Sequence, residues 1–193
     1  MNFTPRQNEI ILTAIELIAE NGIQQLTIKN LSKRIGIAES AIYRHFGSKL
    51  DILLGILDLF KENKEEMLRR VQAMSKSPLE QMRLLFEERF KSFNNQPAIA
   101  AVIFSEEIFR NDRRLSDKVF QIMQTNQQIL LDIIRNGQAA NEFRKDISAD
   151  QMAFIIIGAL RLIVSKWHLS DYAFDLTLEG KKLWKAIERM VKS

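Results

Sequence analysis

The chain has 193 residues, 46% of them hydrophobic and 27% charged, with a formal net charge of +4 and no cysteine. That length and balance fit a compact protein with a substantial core, and the absence of thiols excludes disulfides, thiolate zinc sites and cysteine nucleophiles. Only seven glycines and three prolines interrupt many periodic apolar positions, so an all-α chain is expected.

The N-terminal stretch MNFTPRQNEI has no basic segment followed by an apolar run, so no signal peptide is expected. Thr4-Pro5-x-Gln7 predicts a capped helix start, and Ile11, Ala14, Ile15, Leu17 and Ile18 keep a helical period until Asn21-Gly22. Thr27 caps a second helix with Ile28, Leu31 and Ile35 on one face, stopped by Gly36. A third helix is predicted over 39–46 and ends at Gly47. The fourth opens at Ser48 with Asp51 three residues on, and runs to about Met74, roughly 40 Å. Ser77-Pro78-Leu79-Glu80 opens the next, through about Phe93. Further helices are expected over 97–110, 115–136 with a stop at Gly137, 149–167 behind a Ser148-x-x-Gln151 cap, and 178–191. The most apolar run, 152–164, contains Arg161 and is shorter than the roughly 18 residues of a membrane span, so a cytoplasmic protein with no membrane partner is expected.

Residues 27–49 hold Lys29, Lys33, Arg34, Arg44 and Lys49 against Glu39 alone, and so carry the whole net charge of +4. Such a concentration fits a polyanion footprint as well as it fits a solvated lysine face. The segment IGIAESAIYRHFGSKLD, residues 35–51, favours the first. Short helices joined by Gly36-Ile37-Ala38 make a helix-turn-helix. On the wheel of the third helix, Ile42 and Phe46 define the buried side, while Ser40 and Arg44 point away from it with Ala41 close by. Tyr43 and His45 fall on opposite flanks, about 80° from the buried centre. A helix in the major groove needs central side chains for base edges and flanking ones for phosphates. Arg44 can pair with guanine, and Tyr43 and His45 can donate to phosphate oxygens, although both could instead cover the small core. Free N–H groups at the start of the fourth helix favour an anion beside Lys49, and Thr27 can serve likewise on the other side.

The stretch LTIKNLSKRIGIAESAIYRHFGSKLDIL resembles the DNA-binding segment of TetR-family transcriptional repressors, over about residues 8–57. Thr27, Gly36, Ile42-Tyr43, His45-Phe46 and Ser48-Lys49 fall in register with that pattern. The resemblance implies an all-helical homodimer whose N-terminal units read a palindrome in double-stranded DNA. It also implies a C-terminal effector pocket and a dimer interface from the last two helices. Phosphate contacts then map onto Thr27, Tyr43 and Lys49, and base-reading positions onto Glu39, Ser40, Arg44 and Ala41. Glu39 is open to two roles, accepting from a cytosine amino group or favouring the helix N-terminus. The family's serine or threonine cap on the recognition helix is Ala38 here, and loss of such a cap costs about 1 kcal/mol. The expected division is a DNA-binding unit over 1–47 and an effector-binding and dimerisation domain over 48–193.

Phe60, Phe86, Phe90, Phe93, Phe104, Phe109 and Phe120 cluster in the middle of the chain, with Met67, Met82 and Met123 beside them. They can be core. With the resemblance, Phe60, Met67, Phe86, Phe90, Phe93, Phe104, Phe109 and Met123 become candidate lining for a small apolar or amphipathic effector, whose anionic end could meet Arg89, Arg110 or Arg113. For the dimer, Met152, Ile155, Ile156, Ala159, Ile163 and Trp167 give one apolar face, with Gly158 permitting close approach, and Leu183, Trp184, Ile187 and Met190 give the other.

An enzyme is not expected, nor a metal or cofactor. His45 and His168 are the only histidines, and neither follows a glutamate at the three-residue spacing of carboxylate-bridged bundles. No His-Glu-x-x-His, phosphate-binding glycine loop or Gly-x-Ser-x-Gly is present. The alternative to a ligand-responsive repressor is a helical protein-binding adaptor whose basic patch meets polyanions without reading them.

Overall fold

The computed structural model describes residues 3–95, 97, 100 and 112–192. The sequence-predicted helix at 97–110, with Phe104, Phe109 and Arg110, therefore lies almost wholly outside the described residues. Among those described, the elements are α1 (Pro5–Asn21), a 3₁₀ turn (Ile23–Gln25), α2 (Ile28–Ile35), α3 (Glu39–Tyr43), α4 (Lys49–Met74), α5 (Pro78–Asn95), α6 (Arg113–Ala139), α7 (Ala149–Leu169) and α8 (Leu176–Val191). The fold is all-α, and the chain packs into two compact units. The first is Met1–Asn63 with Pro97–Phe120, and the second is Lys64–Gln96 with Gln121–Ser193. The start of α4 packs with the first unit, so the compact units and the division at 47/48 are drawn at different places.

In the first unit, Thr4 forms the expected capping box: its Oγ1 accepts from the Gln7 N–H at 3.2 Å, and its own N–H donates to Gln7 Oε1 at 3.0 Å. Ile10, Ile11, Ala14, Ile15, Leu17 and Ile18 of α1 are buried with Leu26, Leu31, Ile42, Phe46, Ile52, Leu53, Ile56 and Leu57. Each such Ile or Leu contributes roughly 1.5–3 kcal/mol by leaving water. Gly55 lets α4 lie close on α1, because a Cβ there would sit 3.1 Å from Ile11 Cδ1 and 3.4 Å from Phe46 Cε1. A half-buried ion pair between Lys118 and Asp58 ties the first turns of α6 to α4.

In the second unit α5 packs on α8. A Cβ at Gly180 would overlap the Phe90 ring, and the Phe86 ring lies 5.6 Å from that of Trp184 and 6.0 Å from Phe90. Gly137, expected as a helix stop, is instead inside α6: its bare Cα receives the Phe143 ring, and the helix continues to Ala139. The α6–α7 loop is held by Gln138 Nε2, which donates to the carbonyls of Arg144 and Ile147 at 2.9 Å each, and by the Arg144 N–H on the Val191 carbonyl at 2.8 Å. Glu142 reaches the start of α5, accepting from Ser77 Oγ at 3.0 Å and the Leu79 N–H at 3.2 Å. Asp175 caps α8, accepting from the Thr177 and Leu178 N–H groups, so that helix begins two residues before its predicted start.

Candidate nucleic-acid interface

Two caps and one glycine position the interface. Thr27 Oγ1 accepts from the Asn30 N–H at 3.0 Å and starts α2. Gly36, at φ 78° and ψ 33°, ends α2 in the left-handed conformation that glycine adopts without strain, while the Gly36 and Ile37 N–H groups close on the Ser32 carbonyl. Ser48 and Asp51 cap α4 reciprocally: Ser48 Oγ accepts from the Asp51 N–H at 3.2 Å and donates to Asp51 Oδ2 at 2.8 Å.

Between these fixed points α3 spans only Glu39–Tyr43, shorter than the predicted 39–46. Arg44 is its C-cap residue, and His45 and Phe46 return their N–H groups to the Ile42 carbonyl. Ala38 makes no side-chain cap bond, so the missing cap is not replaced at that residue. Ile42 is fully buried and Phe46 nearly so, as the wheel required. Glu39, Ser40, Tyr43 and Arg44 are exposed, Ala41 and His45 are half-buried, and Tyr43 presents 53% of its surface. The backbone carbonyl of His45 accepts from Gln7 Nε2 at 3.4 Å, which fixes this flank to α1.

The basic patch is less uniform than its charge count. Arg34 is held by Glu20 of α1 through two hydrogen bonds, at 2.6 and 3.0 Å, and this pairing lowers the Glu20 pKa and raises that of Arg34. Lys49 is half-buried, donates to the Ile23 carbonyl at 3.3 Å, and has its pKa lowered by desolvation. Lys29, Lys33, Arg34 and Arg44 are the exposed cations of the segment, and Arg34 is the one turned onto Glu20. Sequence charge alone could not show that Glu20, outside the window, neutralises one of the five.

The remaining candidates are spread over both units. Phe86 and Phe90 pack in the α5–α8 core, with their rings against Trp184 and Gly180. Phe93 and Met67 are buried, Phe60 is half-buried and Met123 is exposed. Arg89 is half-buried with its guanidinium 5.9 Å from the centre of the Phe93 ring, and desolvation lowers its pKa to about 10. Arg113 is an exposed partner of Asp117 at 3.7 Å.

Met152, Ile156, Trp167, Trp184 and Ile187, expected on the apolar faces of the last two helices, are buried within the single chain. Ile155 is exposed, and Ala159, Ile163, Leu183 and Met190 are half-buried. The exposed apolar stripe of α7 is instead Phe154 (77%), Ile155, Leu162 (63%) and Leu169 (82%), with Gly158 among them. Phe154, Leu162 and Leu169 were missed. Their signal was the polar pair Gln151 and Lys166, which falls on the same side of the wheel and marks it as the outer one. The full helix has the length and composition of a candidate membrane span, unlike the shorter run read from sequence. Its two apolar faces, one inward and one outward, account for that composition.

A glycine-jointed helix pair that presents polar and cationic side chains from a short, rigidly seated second helix defines a helix-turn-helix DNA-binding protein. Residues 10–56 match the family model of bacterial regulatory proteins of the tetR family, and residues 58–189 match the YsiA-like protein C-terminal region. The chain belongs to the TetR family of transcriptional regulators. It is 27% identical over 175 residues to the fatty acid metabolism regulator protein of Bacillus subtilis, covering 89% of this chain and 88% of that one. It is 21% identical over 188 residues to the nucleoid occlusion factor SlmA of Vibrio cholerae, covering 97% and 96%. A solved FadR from Bacillus subtilis in complex with stearoyl-CoA shares the fold, with a TM-score of 0.80, 24% identity and coverage of 95% and 98%.

Proposed function

We propose that the protein is a homodimeric, non-catalytic repressor that binds a palindromic operator and releases it on binding a fatty acyl thioester. The observation that carries the DNA-reading half is the exposed Ser40–Tyr43–Arg44 surface, seated on buried Ile42 and Phe46 between the capped starts of α2 and α4. Arg44 offers a bidentate donor pair to guanine, Ser40 a hydroxyl to a base edge, and Tyr43, Thr27 and Lys49 donors to phosphates. Dimerisation is supported by the α7 stripe, whose exposed Phe154, Leu162 and Leu169 have an unfavourable exposure to water that a second copy would relieve. The effector class is supported by similarity along most of the chain to a regulator of fatty acid metabolism. Release follows only if the thioester binds the DNA-incompetent arrangement more tightly than the competent one.

The test is selection of genomic fragments by the purified protein and by Arg44→Ala, followed by elution with stearoyl-CoA. A palindrome with half-sites about one helical turn apart, lost in the variant and eluted by the thioester, is the expected result. Uniform retention by both proteins would favour the adaptor reading, for which the similarity to a nucleoid occlusion factor speaks. Retention of a palindrome that the thioester does not elute would leave the operator reading intact and overturn the effector class.

A further inference from the structure

Asn126 lies on α6 four residues after Ile122 and four before Leu130, both buried, and so interrupts the apolar face of that helix. Its Oδ1 is enclosed and meets no hydrogen-bond donor among the described residues. A side-chain carbonyl has two acceptor positions, and enclosing it without a donor is unfavourable compared with an apolar side chain of similar volume. Further along the same helix, Gln138 shows how this fold satisfies an amide that serves structure: both hydrogen bonds of its Nε2 end on loop carbonyls at 2.9 Å. Among the described residues Asn126 Oδ1 has no comparable partner. A buried acceptor of this kind is completed either by an enclosed water or by a ligand that brings its own donor.

We propose that Asn126 Oδ1 is the acceptor for an N–H donor on the effector, and that it makes the second unit selective for acyl thioesters carrying an amide beside the thioester. The inference rests on the acyl-thioester reading above and sharpens it. A pantetheine thioester places an amide N–H a few bonds from its sulfur, next to the apolar chain. An ionised fatty carboxylate has no donor to offer, so it would leave the Asn126 acceptor unpaired. A site built around an unpaired acceptor discriminates by the donor that completes it, because an analogue without the donor keeps the acceptor buried and unpaired.

The experiment titrates the full-length protein with two dodecanoyl thioesters that differ in one atom. One is the N-acetylcysteamine thioester, and its twin has the amide N–H replaced by an ester oxygen. Calorimetry of wild type is expected to show about tenfold tighter binding of the amide, or about 1.4 kcal/mol. Asn126→Leu is expected to bind both twins equally, and to melt about 2–4 °C higher because the unpaired acceptor is gone. Asn126→Met serves as a second apolar replacement in case leucine does not fit.

Equal binding of the twins by wild type, or a preference that survives in both variants, would overturn the role of Asn126 and leave the acyl-thioester reading standing. A lower melting temperature in both variants, with the ligand preference unchanged, would assign the acceptor to an enclosed water and also overturn the proposal. Binding of neither thioester to wild type would overturn the effector class together with this inference.

Discussion

Two helices, α3 and α7, expose opposite kinds of surface. The five-residue α3 buries Ile42 and turns Glu39, Ser40 and Tyr43 outward, with Arg44 at its end. The 21-residue α7 buries Met152, Ala153, Ile156, Val164 and Trp167, and turns Phe154, Ile155, Leu162 and Leu169 outward. A polar outer face gains from a hydrated, charged partner and is stable without one, whereas an apolar outer face is unfavourable until something covers it. The first suits a reversible reader of DNA, and the second suits a permanent contact with another copy.

The largest expected effect tests that contrast on α7. Phe154→Asp combined with Leu162→Glu should leave the fold intact, because both side chains are exposed in the single chain. It should place like charges against each other in the dimer, giving a monomer by sedimentation and at least about a hundredfold weaker operator binding as the two half-sites uncouple. If the double variant remains a dimer, the stripe is not the interface. Trp184→Ala, drawn from the residues first expected there, should behave in the opposite way. Its ring packs on Phe86 inside the chain, so it should lose about 3–5 kcal/mol of stability in chemical denaturation before any change in assembly is seen.

On α3 the expected effects are smaller and fall on recognition. Arg44→Ala should cost about 1–3 kcal/mol of discrimination at one base pair, with little change in melting temperature because its side chain is exposed. Equal loss on every sequence would make it a phosphate contact. Lys33→Ala is the matching control. It should weaken all sequences alike and reduce the salt dependence of binding by about one phosphate contact.

The same contrast explains what could be read from the sequence. The wheel of α3 had one apolar side, so burial of Ile42 and Phe46 fixed where Ser40 and Arg44 had to point. Glycine and cap signals around it held because each is a local backbone requirement, as at Thr27, Gly36 and Ser48. On α7 the apolar residues run round the helix, so apolar periodicity alone has no phase and only Gln151 and Lys166 mark the outer side. Met152 and Phe154 look alike until a neighbouring helix chooses between them. Gly137 misled for a related reason. Its role is to receive the Phe143 ring, a contact with a residue whose position only the fold supplies. Asn126 has no signature in the sequence, because a single amide on an amphipathic helix is unremarkable until its Oδ1 proves enclosed without a donor.

The smallest expected effect probes how much the recognition helix owes to its own ends. Ala38 already has N-cap geometry, at φ −69° and ψ 148°, but no side-chain oxygen to accept from the first turn. Ala38→Ser supplies one without changing the backbone, and a satisfied cap contributes about 1 kcal/mol. Thr27→Ala removes the corresponding bond from α2 and should lose a similar amount. If both helices are held mainly by their buried faces, the two changes should shift the melting temperature by about 2–4 °C in opposite directions, and the serine should leave operator affinity unchanged. If α3 frays in the free protein, the serine should also tighten operator binding, since part of the ordering cost is then met before DNA arrives. A gain in affinity would mean that a helix this short needs its cap for function as well as for stability, and that Ala38 keeps the affinity of the natural protein below what its contacts allow.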